Sequence, residues 1–187
     1  MKEKSHKLLA EEMQRISVSD FKNAEKLPLC LIVDSVRSLH NVGSFLRTAD
    51  AFRLEKVWLC GITGTPPNAE IHKTALGAEE SVCWEYVANT SELIERLSRE
   101  GWQICAIEQV SGSHSLQDFP FDTQARYALI VGNEVMGVSQ EAVDASDCCI
   151  EIPQFGTKHS LNVSVTAGIL IWEFARRFEY GRRFTTP

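Results

Sequence analysis

The chain has 187 residues, is 44% hydrophobic and carries a formal net charge of −6. This length suits one domain with its own core, and the acidic balance excludes a uniformly basic nucleic-acid coat without excluding a local patch. No apolar run reaches the roughly 18 residues needed to span a bilayer, and the lysine-bearing N-terminus lacks a signal-like apolar stretch, so the expected location is cytoplasmic, away from membranes. The six cysteines (Cys30, Cys60, Cys83, Cys105, Cys148, Cys149) have no C-x-x-C spacing and mostly lie in apolar runs. That usage reads as buried reduced thiols, and no metal is expected.

In chain order, residues 1–27 form a polar arm with Leu8, Leu9, Met13, Ile16 and Phe21 near helical spacing. The pattern predicts one or two helices, the second starting at Ser19-Asp20. LCLIVD, Leu29 to Asp34, is a continuous apolar run typical of a strand buried on both faces. Ser38 to Phe52 turns helical, with Val42, Phe45, Leu46, Ala49 and Phe52 as its buried stripe. Asn41 falls in its first turn, and Gly43 permits close approach of a ligand or a backbone. Arg47 lies six residues beyond Asn41, so the two do not share a helical face; its structural alternative is a surface ion pair with Asp50.

Strands follow at Lys56 to Cys60, Val82 to Val87 and Trp102 to Ile107. Between them come a Gly/Pro-marked loop from Gly61 to Pro67 and helices over Glu70 to Glu79 and Thr90 to Glu100. The loop Glu108 to Ser115 is small and polar, suited to a ligand edge. Tyr127 to Val131 is a buried strand leading into GNEVMG, where Glu134 stands between two glycines. Ser139 is placed to cap a short helix ending at Ala145, and the strand Cys148 to Ile152 stops at Pro153. After a polar turn, Ser160 and Asn162 sit where the last helix needs an N-cap; Val163, Ala167, Leu170, Ile171, Phe174 and Phe178 form its buried face. Basic clusters at Lys2, Lys4 and Lys7 and at Arg176, Arg177, Arg182 and Arg183 read as solvated helix ends.

Strands alternating with helices in this way indicate an α/β fold with a parallel sheet, in which ligands bind beyond the carboxyl ends of the strands. The dinucleotide, P-loop, serine-hydrolase and zinc-protease signatures are all absent. Three polar loops remain, after Asp34, Val131 and Ile152, and together they supply Asn41, Arg47, Glu134, Ser160 and Asn162. Each has a structural explanation singly: caps for the asparagines, a turn residue, an exposed charge. Jointly they indicate a site for a polar ligand.

The wording of these segments adds more. NVGSFLRTADAF at 41–52, IVGNEVMGV at 130–138 and IPQFGTKHSLNVSV at 152–165 resemble, in order, the three signature motifs of the SpoU (TrmH) branch of the SPOUT RNA methyltransferases. HKTALGAE at 72–79 is also similar to a family segment, and the resemblance covers about residues 28 to 178. It implies a methyltransferase domain at 28–180, between the arm and a short tail at 181–187, with a deep C-terminal trefoil knot. It implies S-adenosylmethionine bound near Gly132, Ile152 and Leu161, bordered by Gln109 and Val110, in a homodimer whose site borrows from both subunits. The implied reaction is methylation of a ribose 2′-hydroxyl in tRNA or rRNA, with Arg47 catalytic and Asn41, Glu134, Ser160 and Asn162 orienting it. Two rivals stand beside it: a catalytically silent RNA- or ribosome-binding accessory factor of the same fold, and a base methyltransferase.

Overall fold

The computed structural model describes residues 6–13 and 15–179. Seven strands build one sheet: β1 (Leu27–Asp34), β2 (Leu54–Cys60), β3 (Trp84–Val87), β4 (Trp102–Ile107), β5 (His114–Ser115), β6 (Arg126–Val131) and β7 (Cys148–Glu151). Their order is β3-β2-β1-β6-β4-β7-β5, and every pairing is parallel. The helices are α1 (Val18–Asn23), α2 (Leu39–Ala51), α3 (Ala69–Ala75), α4 (Ala78–Ser81), α5 (Thr90–Arg99), α6 (Gln140–Asp144) and α7 (Val163–Arg177).

The two-residue period of the central strands explains the layering. Leu29, Leu31 and Val33 of β1, with Tyr127, Leu129 and Val131 of β6, pack against α2, α3 and α7. The intervening Cys30, Ile32, Ala128 and Ile130 pack against α5 and α6 on the opposite face. Buried strands therefore read as unbroken apolar runs because both faces are covered. Tyr127, Phe119, Phe121, Phe174 and Phe178 form an aromatic cluster that seats α7. Arg177 closes that helix over the turn after β5, donating to the carbonyls of Leu116, Gln117 and Phe119 and to Glu173. Arg176, with Arg177 beside it, holds the Glu173 carboxyl down to about 2.

Several local expectations change. The helix expected over Glu70 to Glu79 is two helices, broken where Leu76 and Gly77 take left-handed conformations (φ 52° and 92°). The third strand starts at Trp84; Val82 is instead the buried cap of α4. The loop Glu108 to Ser115 ends in β5, too short to carry a periodic signal, which pairs with β7. In the arm, Ser17 rather than Ser19 caps α1, accepting from the Asp20 N–H, and Ala10–Met13 forms a 3-10 turn. Ser139 starts α6 without capping it, because its hydroxyl donates to Asp34 at 2.8 Å. All six cysteines are free, and Cys83 is exposed rather than buried. Lys2, Lys4, Arg182, Arg183 and the 181–187 tail lie outside the described residues. Among the described residues, no helix is long and apolar enough to cross a membrane, and no group of three His, Cys, Asp or Glu could hold a metal ion.

Candidate active site

A cleft of about 560 Å³ opens at the carboxyl ends of β4, β6 and β7. Ile107, Glu108 and Gln109 line it from the β4 end, Gly132 to Gly137 from the loop after β6, and Ile152, Ser160, Leu161 and Asn162 from the β7–α7 connection. This is where a parallel α/β sheet leaves room for a ligand.

The loop after β6 is folded on itself. The Asn133 and Gly137 backbones exchange hydrogen bonds at 2.9 Å, and the Asn133 side chain accepts from the N–H groups of Val135 and Met136. Gly132 is required here because a Cβ would lie 2.2 Å from the Gly137 and Val138 backbone. Gly137 (φ 72°) is pressed against the Glu108 carboxylate, which accepts from the N–H of Gln109 and of Val138, both at 3.0 Å. Glu108 thus pins the β4 loop to the β6 loop. On the other side of the sheet centre, Asp34 accepts from Thr90 at 2.8 Å and from the Ser139 N–H and hydroxyl.

Glu134 reaches across to α2. One carboxylate oxygen accepts from the Ser38 N–H and the Asn41 side-chain amide, both at 3.0 Å, and the other from the Arg37 N–H at 3.1 Å. Partial burial opposes ionisation, but these donors and its own N–H hold the Glu134 carboxyl below its ordinary value. The hydroxyl of Ser38, not Asn41, caps α2, accepting from the Asn41 N–H. Such a cap contributes about 1 kcal/mol. The chain continues to α7: the Asn162 side chain donates to Asn41 at 3.3 Å while its oxygen caps α7 through Ser164 and Val165. Asn41, Glu134 and Asn162, 121 positions apart at the extremes, form one relay that ties α2 to the loop after β6 and the start of α7.

Of the residues singled out from sequence, Gln109, Gly132, Glu134, Ile152, Ser160, Leu161 and Asn162 line the cleft, and Asn41 stands directly behind it. Gln109 also ties two walls together by donating to the His159 carbonyl. Val110 does not line the cleft; its carbonyl accepts from the Ser113 N–H in a turn. Arg47 is exposed and lies outside this cleft, and its side chain makes no hydrogen bond or ion pair among the described residues; Asp50, its supposed partner, binds Ser81 instead. Gly43 is explained by backbone approach, since its Cβ would meet the Ile71 carbonyl of α3 at 2.2 Å. Sequence reasoning passed over Glu108, Asn133 and Asp34. For Asp34 a signal existed, a charge ending an apolar run; for Glu108 the partners are backbone groups that no spacing reveals.

A parallel α/β domain with a ligand cleft walled by three strand-end loops is the class of protein that this geometry defines. Comparison with known proteins makes it specific: residues 28–172 match the SpoU rRNA Methylase family, and the chain belongs to that family. It is 34% identical to the 23S rRNA (guanosine-2′-O-)-methyltransferase RlmB of Neisseria meningitidis over 83% of this chain and 61% of that protein. The chain thus spans about three-fifths of that relative's length. Among solved structures, the TrmH/SpoU tRNA modifying enzyme of A. aeolicus superposes with a TM-score of 0.78 at 28% identity, covering 88% of this chain and 84% of that one. An AdoMet-bound rRNA methyltransferase from Sinorhizobium meliloti gives 0.74 at 27% identity, covering 84% and 60%. The resemblance drawn from the three motifs and the SPOUT methyltransferase α/β fold it implied are both borne out.

Proposed function

We propose that the protein is an S-adenosylmethionine-dependent methyltransferase acting on the ribose 2′-hydroxyl of a tRNA or rRNA nucleotide. The observation that carries this reading is that the Asn41–Glu134–Asn162 relay ties the helix of the first motif to the two motif loops that line the cleft. The cleft suits a nucleoside-containing cofactor in size, with Ile152 and Leu161 as apolar walls and a Gly132 backbone free of side chain. Gln109, Gly132, Ile152 and Leu161 would hold the cofactor, with Val110 at the border. When bound, it supplies an electrophilic methyl group on a sulfonium sulfur.

The remaining work falls to the chain's own residues. The 2′-hydroxyl is a weak acid, so its developing oxyanion needs a fixed positive charge. Arg47 is suited to that role and poorly suited to being a base, since its pKa exceeds about 12. It clamps the 2′-oxygen and the adjoining phosphate, and that phosphate takes the proton. Ser160 faces the cleft to orient the ribose; Asn41, Glu134 and Asn162 hold the loops in register, so that attack is in line.

Arg47 is exposed and does not line the cleft of its own chain. That supports a homodimer in which each protomer lends its arginine to the other's cleft. An apolar stripe on α7, Val165, Ile169 and Trp172 at 50%, 37% and 59% exposure, offers a face for a second copy. The same reading includes a threaded trefoil knot through the β7–α7 connection, an arm at 1–27, the catalytic domain at 28–180 with a tail at 181–187, and a cytoplasmic setting. Arg47→Ala separates binding from chemistry: calorimetry should give wild-type cofactor affinity while methyl transfer falls by at least about 100-fold. Normal turnover by the variant would refute the role of Arg47, and no cofactor binding by the wild-type protein would refute the cleft assignment.

A further inference from the structure

Phe155 is 97% exposed, the highest value among the exposed large hydrophobic side chains described. It stands in the β7–α7 connection between Gln154 and His159, both of which line the cleft, and so marks the rim. Val135 and Met136, each 80% exposed, come from the loop on the other wall. From Ile152 to Asn162 there is no carboxylate, while Lys158 and His159 are both exposed. In a chain of net charge −6 this run of the lip carries positive charge and none of its own negative charge, although Glu108 and Glu134 line the cleft behind it. An open aromatic ring beside a solvated cation is the arrangement that binds unpaired nucleotides, the base stacking on the ring and the phosphate meeting the charge.

We propose that Phe155 is a stacking platform for an unpaired RNA base at the mouth of the cleft, with Lys158 receiving the adjoining phosphate. The inference rests on the reading of the cleft as the cofactor site of an RNA methyltransferase. It makes Phe155 a positioning residue that sets the register in which the ribose enters.

The test uses the full chain with saturating S-adenosylhomocysteine and a fluorescein-labelled, mixed-sequence single-stranded RNA of about twelve nucleotides. Fluorescence anisotropy should show Phe155→Ala binding at least about fivefold more weakly and Phe155→Tyr within about twofold of wild type. Lys158→Ala should lower the slope of log affinity against log salt by about 0.7. Calorimetric cofactor affinity should be unchanged in all three variants. Wild-type RNA affinity in Phe155→Ala would overturn the proposal. So would dissociation of dimers by that variant in sedimentation, which would assign the ring to a subunit contact. The parent reading is judged separately: if wild-type protein transfers no methyl group while the Phe155 variants still differ in RNA affinity, the activity assignment fails and the platform stands.

Discussion

Asn41 and Arg47 share a helix but point about 120° apart around it, as six residues must. One is buried against Glu134 and Asn162, the other is exposed. Glu134 is the hub between Asn41 and the cleft, and its depressed pKa has a definite consequence. The stability contributed by the ionised carboxylate is present above the ordinary carboxylate range and is lost as pH falls through the lower folded value. Thermal stability should therefore fall as pH drops below the ordinary carboxylate range, and Glu134→Gln should make that fall shallower while reducing methyl transfer. An unchanged profile in the variant would mean that the carboxylate is not coupled to folding. Residue by residue, Asn41, Glu134 and Asn162 were legible because polar residues at strand ends stand out against apolar runs. Glu108 and Asn133 were not, because they act on backbone N–H groups whose positions depend on the folded loops.

Among the elements, α2 and α3 approach each other closely at Gly43. A Cβ on Gly43 would meet the Thr74 hydroxyl at 2.1 Å and the Ile71 carbonyl at 2.2 Å. Gly43→Ala should push the helices apart and cost about 1–3 kcal/mol, measured by denaturant unfolding; a neutral or stabilising result would show that the contact relaxes freely. Because α2 carries both Asn41 and Arg47, the same change should also lower activity. The longer elements were readable from the two-residue and 3.6-residue periods; the errors lie at ends and breaks and in the shortest strand. The split after Ala75 escaped notice because Leu76 gives no hint that it takes a positive φ. β5 escaped because a two-residue strand has no period.

For the whole molecule, sequence pattern alone supports a parallel α/β sheet and a ligand edge. Strand order is set by long-range pairing, which local periodicity does not encode. Family resemblance supplied what periodicity could not. The exposed α7 stripe predicts a dimer, so Trp172→Glu should shift sedimentation from dimer to monomer and remove methyl transfer with it, since each cleft would lose the other protomer's Arg47. A variant that stays dimeric would place the interface elsewhere.

The central claim is that the cleft carries a methyl donor to a ribose oxygen. Nucleoside mass spectrometry of tRNA and rRNA incubated with the protein and isotope-labelled S-adenosylmethionine tests it most directly. The account predicts label in a 2′-O-methylnucleoside; label on a base, or in no nucleoside at all, would contradict it.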